Sequence, residues 1–283
     1  EDRLLPMLDA LKKPAIVTMH SVMPHPDDLM RETVRGMAER VDAIVVMANI
    51  AKVLLQEDYG LENGALAKVR QIPHGVPACR RTRASASLQS AKRAVGLEGH
   101  TVISTFGLLN EGKGIEYAIE ALPMLAEKNP DVLYLVIGET HPEVRKLRGE
   151  AYRNELRALA KQLGVQRHVR FVNRFLSQKE LVEYLAATDV YVTPYLSRYQ
   201  ITSGTLAYAL GCGKAIVSTP YPYAAEALAE GRGVLAEFRN AESIANAVSV
   251  ILDDPDVRHR VEERVADFGR SMAWPVVAQR YME

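Results

Sequence analysis

Short apolar runs rich in β-branched residues alternate with longer stretches of helical period along almost the whole chain, and this alternation restricts the fold more than any other feature. Runs of that length and composition suit parallel strands buried on both faces and joined by crossover helices. The candidate strands are Ala15 to Met19, Ala43 to Met47, Val69 to Ile72, Thr101 to Phe106, Leu133 to Ile137, Val169 to Val172, Val190 to Thr193 and Ala215 to Ser218. Helices are expected at Ile115 to Glu127, Pro142 to Leu163 and Gln178 to Ala187. The fold class is therefore α/β, built on Rossmann-like doubly wound parallel sheets.

Regular structure breaks at IPHGVP, where Pro73, Gly75 and Pro77 interrupt it, and a polar, basic stretch follows up to Gly99. A lobe boundary is expected there. Residues 1–77 form a partial first lobe with room for three strands, 78–99 a linker and lead-in helix, 100–270 a complete second lobe, and 271–283 a final helix crossing back. A partial parallel sheet leaves an unpaired edge, so the chain is expected either to pair with a second copy or to be part of a longer protein.

Composition narrows the function classes. Nearly half of the 283 residues are apolar, enough for full cores, yet no run approaches the roughly 18 residues a membrane span needs. Lys and Arg balance Asp and Glu at 35 each, so no global field draws the chain to nucleic acid. The first residues lack the zones of a signal peptide and the two cysteines, Cys79 and Cys212, are too few for a disulfide framework, so a reducing cytoplasm is the expected location. The basic segment Arg80, Arg81, Arg83, Lys92 and Arg93 reads as a solvated linker, with contact to an anionic membrane surface or a phosphorylated acceptor as its alternative.

Chemistry concentrates in TFGLLNEGKGIEYAIEAL, where a buried strand ends in Phe106 and a loop holds Gly107, Gly112, Lys113 and Gly114 before a helix. Such a loop directs amides, a lysine and the positive end of a helix at one spot, which suits a phosphate. GETHPE, after the next strand, is a second candidate of the same kind. A third follows Val190 to Thr193, where Thr202, Ser203 and Gly204 open a short helix. In an open α/β sheet ligands bind at the carboxyl edge of the strands, so loops converging there suggest a diphosphate.

The order FGLL…KG, LYLVIG, VRFV, LVEYLAATDVYVTP and LGCGKAIVST with Glu226 downstream resembles the nucleotide-sugar lobe of the retaining family 4 glycosyltransferases, which have the GT-B fold. IPHGVP is similar to that family's interdomain motif, with His74 where asparagine is usual, and MAWPVVAQRYME to its last helix. The resemblance implies a sugar transferase using a nucleotide-diphosphate sugar, UDP- or GDP-linked, with retention, without metal or other cofactor, and with a sugar, lipid or polysaccharide acceptor. Position by position it implies that Lys113 and Gly107 hold the diphosphate, that Asn173, Arg174 and Phe175 read the nucleobase, and that the Thr202, Ser203 and Gly204 turn faces sugar or phosphate. His20 would stand over the sugar, making His20, Lys113 and Gln200 the catalytic candidates. A lipid acceptor would bring the protein to the membrane periphery.

Three positions depart from that pattern. The arginine usual after the first loop glycine is Leu108, and the two usual glutamates fall on Gln200 and Tyr208. Gln200 can still bond a sugar hydroxyl, whereas Tyr208 cannot grip a ribose as a carboxylate does. Arg198 is the candidate for the missing positive charge, with a solvated loop arginine as its alternative. No carboxylate pair of glycosidase type, zinc-type His and Cys cluster, nucleophile elbow or lysine suited to pyridoxal phosphate stands out. The other readings are a catalytically silent sugar-nucleotide-binding or scaffold lobe and another GT-B enzyme such as an epimerase or phosphorylase.

Overall fold

A computed structural model of the chain describes residues 3–77, 79 and 85–283. The first part comprises α1 (Leu4–Asp9), β1 (Ile16–Met19), α2 (Asp28–Arg40), β2 (Ala43–Val46), α3 (Asn49–Glu57), α4 (Asn63–Ala67) and β3 (Val69–Gln71). Its parallel sheet has the order β1-β2-β3, with Ile16 opposite Ala43 and Ile44 opposite Val69. Asp27 caps α2 by accepting from the Met30 amide at 2.7 Å, which starts the helix where its apolar face, Val34, Met37 and Ala38, meets Ile44 and Val46.

The second part runs α5 (Ser85–Ala94), β4 (Thr101–Phe106), α6 (Ile115–Glu120), α7 (Leu122–Lys128), β5 (Val132–Ile137), α8 (Pro142–Arg148), α9 (Ala151–Gln162), β6 (Val169–Val172) and α10 (Gln178–Ala186). It continues with β7 (Val190–Thr193), α11 (Gly204–Gly211), β8 (Ala215–Ser218), α12 (Pro222–Ala227), β9 (Val234–Leu235), α13 (Ala241–Leu252), α14 (Pro255–Gly269) and α15 (Trp274–Met282). The six strands are parallel in the order β6-β5-β4-β7-β8-β9. Chain direction across the sheet therefore reverses between β4 and β7, the point at which doubly wound sheets open a crevice. Every residue of β5, β7 and β8 is buried, as the continuous apolar runs required.

All eight expected strands form, and β9 is added. Two expected helices are each divided in two. Pro123 lies in the first turn of α7 and lacks the N–H that would continue α6, and Gly149, at φ 59°, separates α8 from α9.

The basic segment needs correction in part. Arg80, Arg81 and Arg83 lie outside the described residues, but Lys92 is buried, not solvated, and its ammonium meets Asp189 at 2.6 Å. Asp189 also accepts from the Val102 amide at 2.6 Å and pairs with Arg258 at 2.9 Å, so one carboxylate ties α5, β4 and α14 together. Arg93 pairs with Glu98 at 2.7 Å on the surface.

Two chain segments join the sheets and lie side by side. The Val76 amide donates to Met272 O at 2.8 Å and the Trp274 amide to Val76 O at 3.1 Å. Trp274 packs against Gly75, where a Cβ would come within 2.2 Å of the indole. Beyond it, α15 lays Val277 against Val45 and Ile72 of the first sheet. The cysteines, given no structural role by their number, are bonded to each other, Cys79 to Cys212. They lie 133 positions apart, and only the path of the crossing brings Cys79 beside the end of α11. No helix among the described residues is long and apolar enough to cross a membrane.

Candidate functional site

The carboxyl ends of β4 and β7 carry the two segments that build the site. After Phe106 the chain turns at Gly107, φ 131°, a conformation that L side chains rarely adopt. It makes a single helical turn at Glu111–Lys113 and turns again at Gly114, φ 61°, before α6. A Cβ on Gly114 would come within 2.0 Å of Pro194 O, so glycine lets this loop press against the end of β7. The Leu196 amide closes the contact by donating to Gly112 O at 3.0 Å.

Lys113 is thereby turned towards the start of α11. Its ammonium donates to the Tyr195 hydroxyl at 2.8 Å, lies 4.0 Å from the centre of that ring, and is 3.6 Å from where a Cβ of Gly107 would stand. No carboxylate pairs with it among the described residues. Ser203 caps α11 by accepting from the Leu206 amide at 3.2 Å, which leaves the Gly204 and Thr205 amides at the helix start without intrahelical partners. A half-buried cation without a counter-ion, facing a free helix N-terminus across a glycine loop, is an arrangement suited to a phosphate.

Beneath this point lies a layer of tyrosines and hydroxyls. Tyr195 stacks on Tyr221 with ring centres 5.5 Å apart, and its hydroxyl shares a hydrogen bond of 2.5 Å with Thr205. Tyr134 donates to Thr105 at 2.8 Å, and Thr193 to Ser218 at 2.8 Å. Burial pushes the phenols of Tyr134, Tyr191 and Tyr221 well up, so they remain neutral hydroxyls at all physiological pH. Sequence reasoning missed this layer because Tyr134 and Tyr191 read as core residues of their strands, while Tyr195 and Tyr221 lie in the segments after β7 and β8 and meet only in the fold.

Beside the loop is a cavity of about 170 Å³ lined almost wholly by apolar surface, among it Phe106, Leu108, Ile137, Phe175 and Leu181. Arg174 and Phe175 reach it. Arg174 pairs with Glu180 at 2.6 Å, and Phe175 is 77% exposed, a large apolar side chain left open to solvent. Asn173 is exposed at the start of the same loop.

Other candidates are placed less directly. The His20 side chain is exposed, and its carbonyl accepts from the Thr202 hydroxyl, which joins the loop after β1 to the turn before α11. Gln200 turns its amide back to Thr202 O at 3.0 Å. Tyr208 accepts from Gln178 at 3.1 Å and stands edge-on to Phe106 and His74, at 6.2 and 6.4 Å. His74 is held by Gly75 O at 2.7 Å, with Nε2 at 3.3 Å from where a Cβ of Gly204 would stand, so the crossing borders the site. Arg198 lies over the Phe238 ring at 4.7 Å. Gly138 and Glu139 of the GETHPE loop line the same cavity as Phe106 and Phe175, while the loop's other polar groups bond within the protein. Its His141 amide is taken by Leu109 O at 2.9 Å, the Thr140 hydroxyl donates to Glu150 at 2.7 Å, and Arg153 fills the space beneath by donating to Gly138 O at 3.0 Å.

Residues 89–268, which carry this loop, helix and cavity, match the family described as "Glycosyl transferases group 1". The chain belongs to that family. It is 27% identical over 193 residues to a D-inositol 3-phosphate glycosyltransferase of Corynebacterium glutamicum, a match covering 67% of this chain and 44% of that protein. It is 25% identical over 280 residues to a phosphatidyl-myo-inositol mannosyltransferase of Mycolicibacterium smegmatis, covering 97% of this chain and 65% of that protein. The chain thus spans less than two thirds of the length of these relatives. In three dimensions it is similar to Anabaena HepE solved with UDP and glucose, with a TM-score of 0.77, 17% identity, and coverage of 96% of this chain and 71% of that one. Sucrose-phosphate synthase from Thermosynechococcus elongatus is similar with a TM-score of 0.76 and 17% identity, covering 98% and 68%. The fold of this group 1 chain is accordingly of the GT-B type.

Proposed function

We propose that this chain is the donor-binding part of a glycosyltransferase that moves a sugar from a nucleotide-diphosphate sugar to an acceptor with retention of configuration, without a metal or other cofactor. The observation that carries this reading is Lys113, a cation with no acidic partner among the described residues, held between Gly107 and the N-terminus of α11. In sugar transfer the departing diphosphate gathers negative charge, and a fixed ammonium with helix amides stabilises it as it forms. The apolar cavity at Phe106, Leu108 and Phe175 would take the nucleobase. The UDP complex of a similar fold favours UDP over GDP. In the same reading residues 1–77 belong to the acceptor side and 100–270 to the donor side, the sugar lies beneath His20 and against Gln200, and the acceptor is a sugar, lipid or polysaccharide. The Cys79–Cys212 bond removes the cysteine argument for a reducing cytoplasm, and a lipid acceptor would place the protein at the membrane periphery.

Calorimetry with UDP tests the site. Lys113→Ala removes one charge-assisted contact and is expected to weaken UDP binding roughly ten- to a hundredfold. Unchanged affinity would remove the diphosphate from this position. A second reading, a silent nucleotide-sugar-binding lobe, is favoured by Gln200 and Tyr208, neutral residues whose polar groups are already bonded to Thr202 O and Gln178. Donor turnover separates the two: a chain that binds UDP-sugar yet neither transfers nor hydrolyses it is a binding lobe.

A further inference from the structure

We infer that Tyr195 is the positioning residue for Lys113, an inference that rests on the Lys113 site proposed above. A lysine ammonium sits on a flexible four-carbon stem, and holding it in one place has an entropic cost. Proteins usually hold such a group with a carboxylate, which also cancels part of its charge. Here the holder is a phenol. Its hydroxyl accepts from Lys113 at 2.8 Å and its ring faces the ammonium at 4.0 Å, so the cation is fixed while its full charge stays available to a phosphate.

Tyr195 is itself immobile. It is 1% exposed, stacks on Tyr221, and its carbonyl accepts from the Thr219 hydroxyl at 2.6 Å. On the far side its hydroxyl meets Thr205 at 2.5 Å, and Thr205 lies 3.1 Å from Ser203, the cap of α11. One phenol therefore spans from the cation of the β4 loop to the first turn of α11 and sets the width of the pocket between them. With Leu108 at the neighbouring loop position, the loop brings a single cation to this pocket, and the placement of that cation decides how well a diphosphate is held.

The test is a double-mutant cycle on the full chain, with UDP affinity measured by calorimetry and thermal midpoint recorded alongside. Tyr195→Phe keeps the ring and its stacking and removes the hydroxyl. Acting through Lys113, it should weaken UDP binding about three- to tenfold in the wild-type background, leave uridine binding unchanged, lower the thermal midpoint equally in both Lys113 backgrounds through the lost Thr205 bond, and have no further effect on UDP affinity in Lys113→Ala. A loss of UDP affinity of the same size in both Lys113 backgrounds would show that Tyr195 serves the fold and not the lysine. Unchanged UDP affinity in Tyr195→Phe, with Lys113→Ala still weakened, would show that the hydroxyl is dispensable. A Lys113→Ala chain that binds UDP as wild type does would overturn the site itself, a separate failure.

Discussion

Lys214, at the start of β8, is 2% exposed and near Glu262, Arg258 and Asp189 without a hydrogen bond or ion pair to any of them among the described residues. Burial lowers its pKa from 10.5 to about 8. Between those two values the unfolded chain binds more protons than the folded one, so stability should rise with pH from about 8 to 10.5, and below 8 the full penalty is present. Lys214→Met is expected to be more stable near neutral pH, by on the order of 2–3 kcal/mol at most, and to lose that slope. Urea unfolding of both chains at pH 7, 9 and 10 checks this, and parallel curves would disprove it. At this scale the sequence was legible where chemistry is local. Gly107 and Lys113 share one loop, and their meaning is carried by a dozen consecutive residues. Tyr195, Thr205 and Lys92 were not legible, because each acquires its role from a partner brought by another strand or helix: Tyr195 from Lys113, Thr205 from Tyr195, and Lys92 from Asp189.

The elements themselves were mostly visible. Runs such as TVISTF and VYVT have one reading as buried strands, whereas the two residues of β9 are too few to produce a pattern. Helix ends were harder to read, since a cap can come from a distant part of the chain. Ala48, at the start of α3, offers no side-chain cap; Glu226, in α12 of the other lobe, accepts from the Asn49 amide at 2.7 Å and the Ile50 amide at 2.9 Å. Gln71 adds a bond to the same carboxylate at 3.2 Å. The negative charge also suits the positive end of the helix. Glu226→Ala should therefore cost about 1–3 kcal/mol and loosen the two lobes from each other. Denaturant unfolding measures the first effect and small-angle scattering the second, through a larger radius of gyration. A variant with wild-type stability and dimensions would mean that this cap contributes nothing.

Over the whole molecule, the Cys79–Cys212 bond closes a loop of 133 positions that contains most of the second lobe. Constraining an unfolded loop of that length is worth about 3–5 kcal/mol in the chain-entropy account. Reduction is expected to lower the thermal midpoint of the wild type and leave Cys212→Ala unmoved; equal midpoints for the wild type with and without reductant would refute it. The same crossing pairs with Met272 and Trp274 and leads into α15, whose Tyr281 hydroxyl meets Thr18 at 3.0 Å across 263 positions. That contact bears on the order in which the protein is assembled during synthesis. At roughly 5–20 residues per second, a ribosome that has just added Thr18 needs roughly 13–50 s more to reach Tyr281. The second sheet can close over its own neighbours during that interval, while Val45 and Ile72 wait for a helix not yet translated. The first sheet is thus finished after the second, although its strands are made earlier.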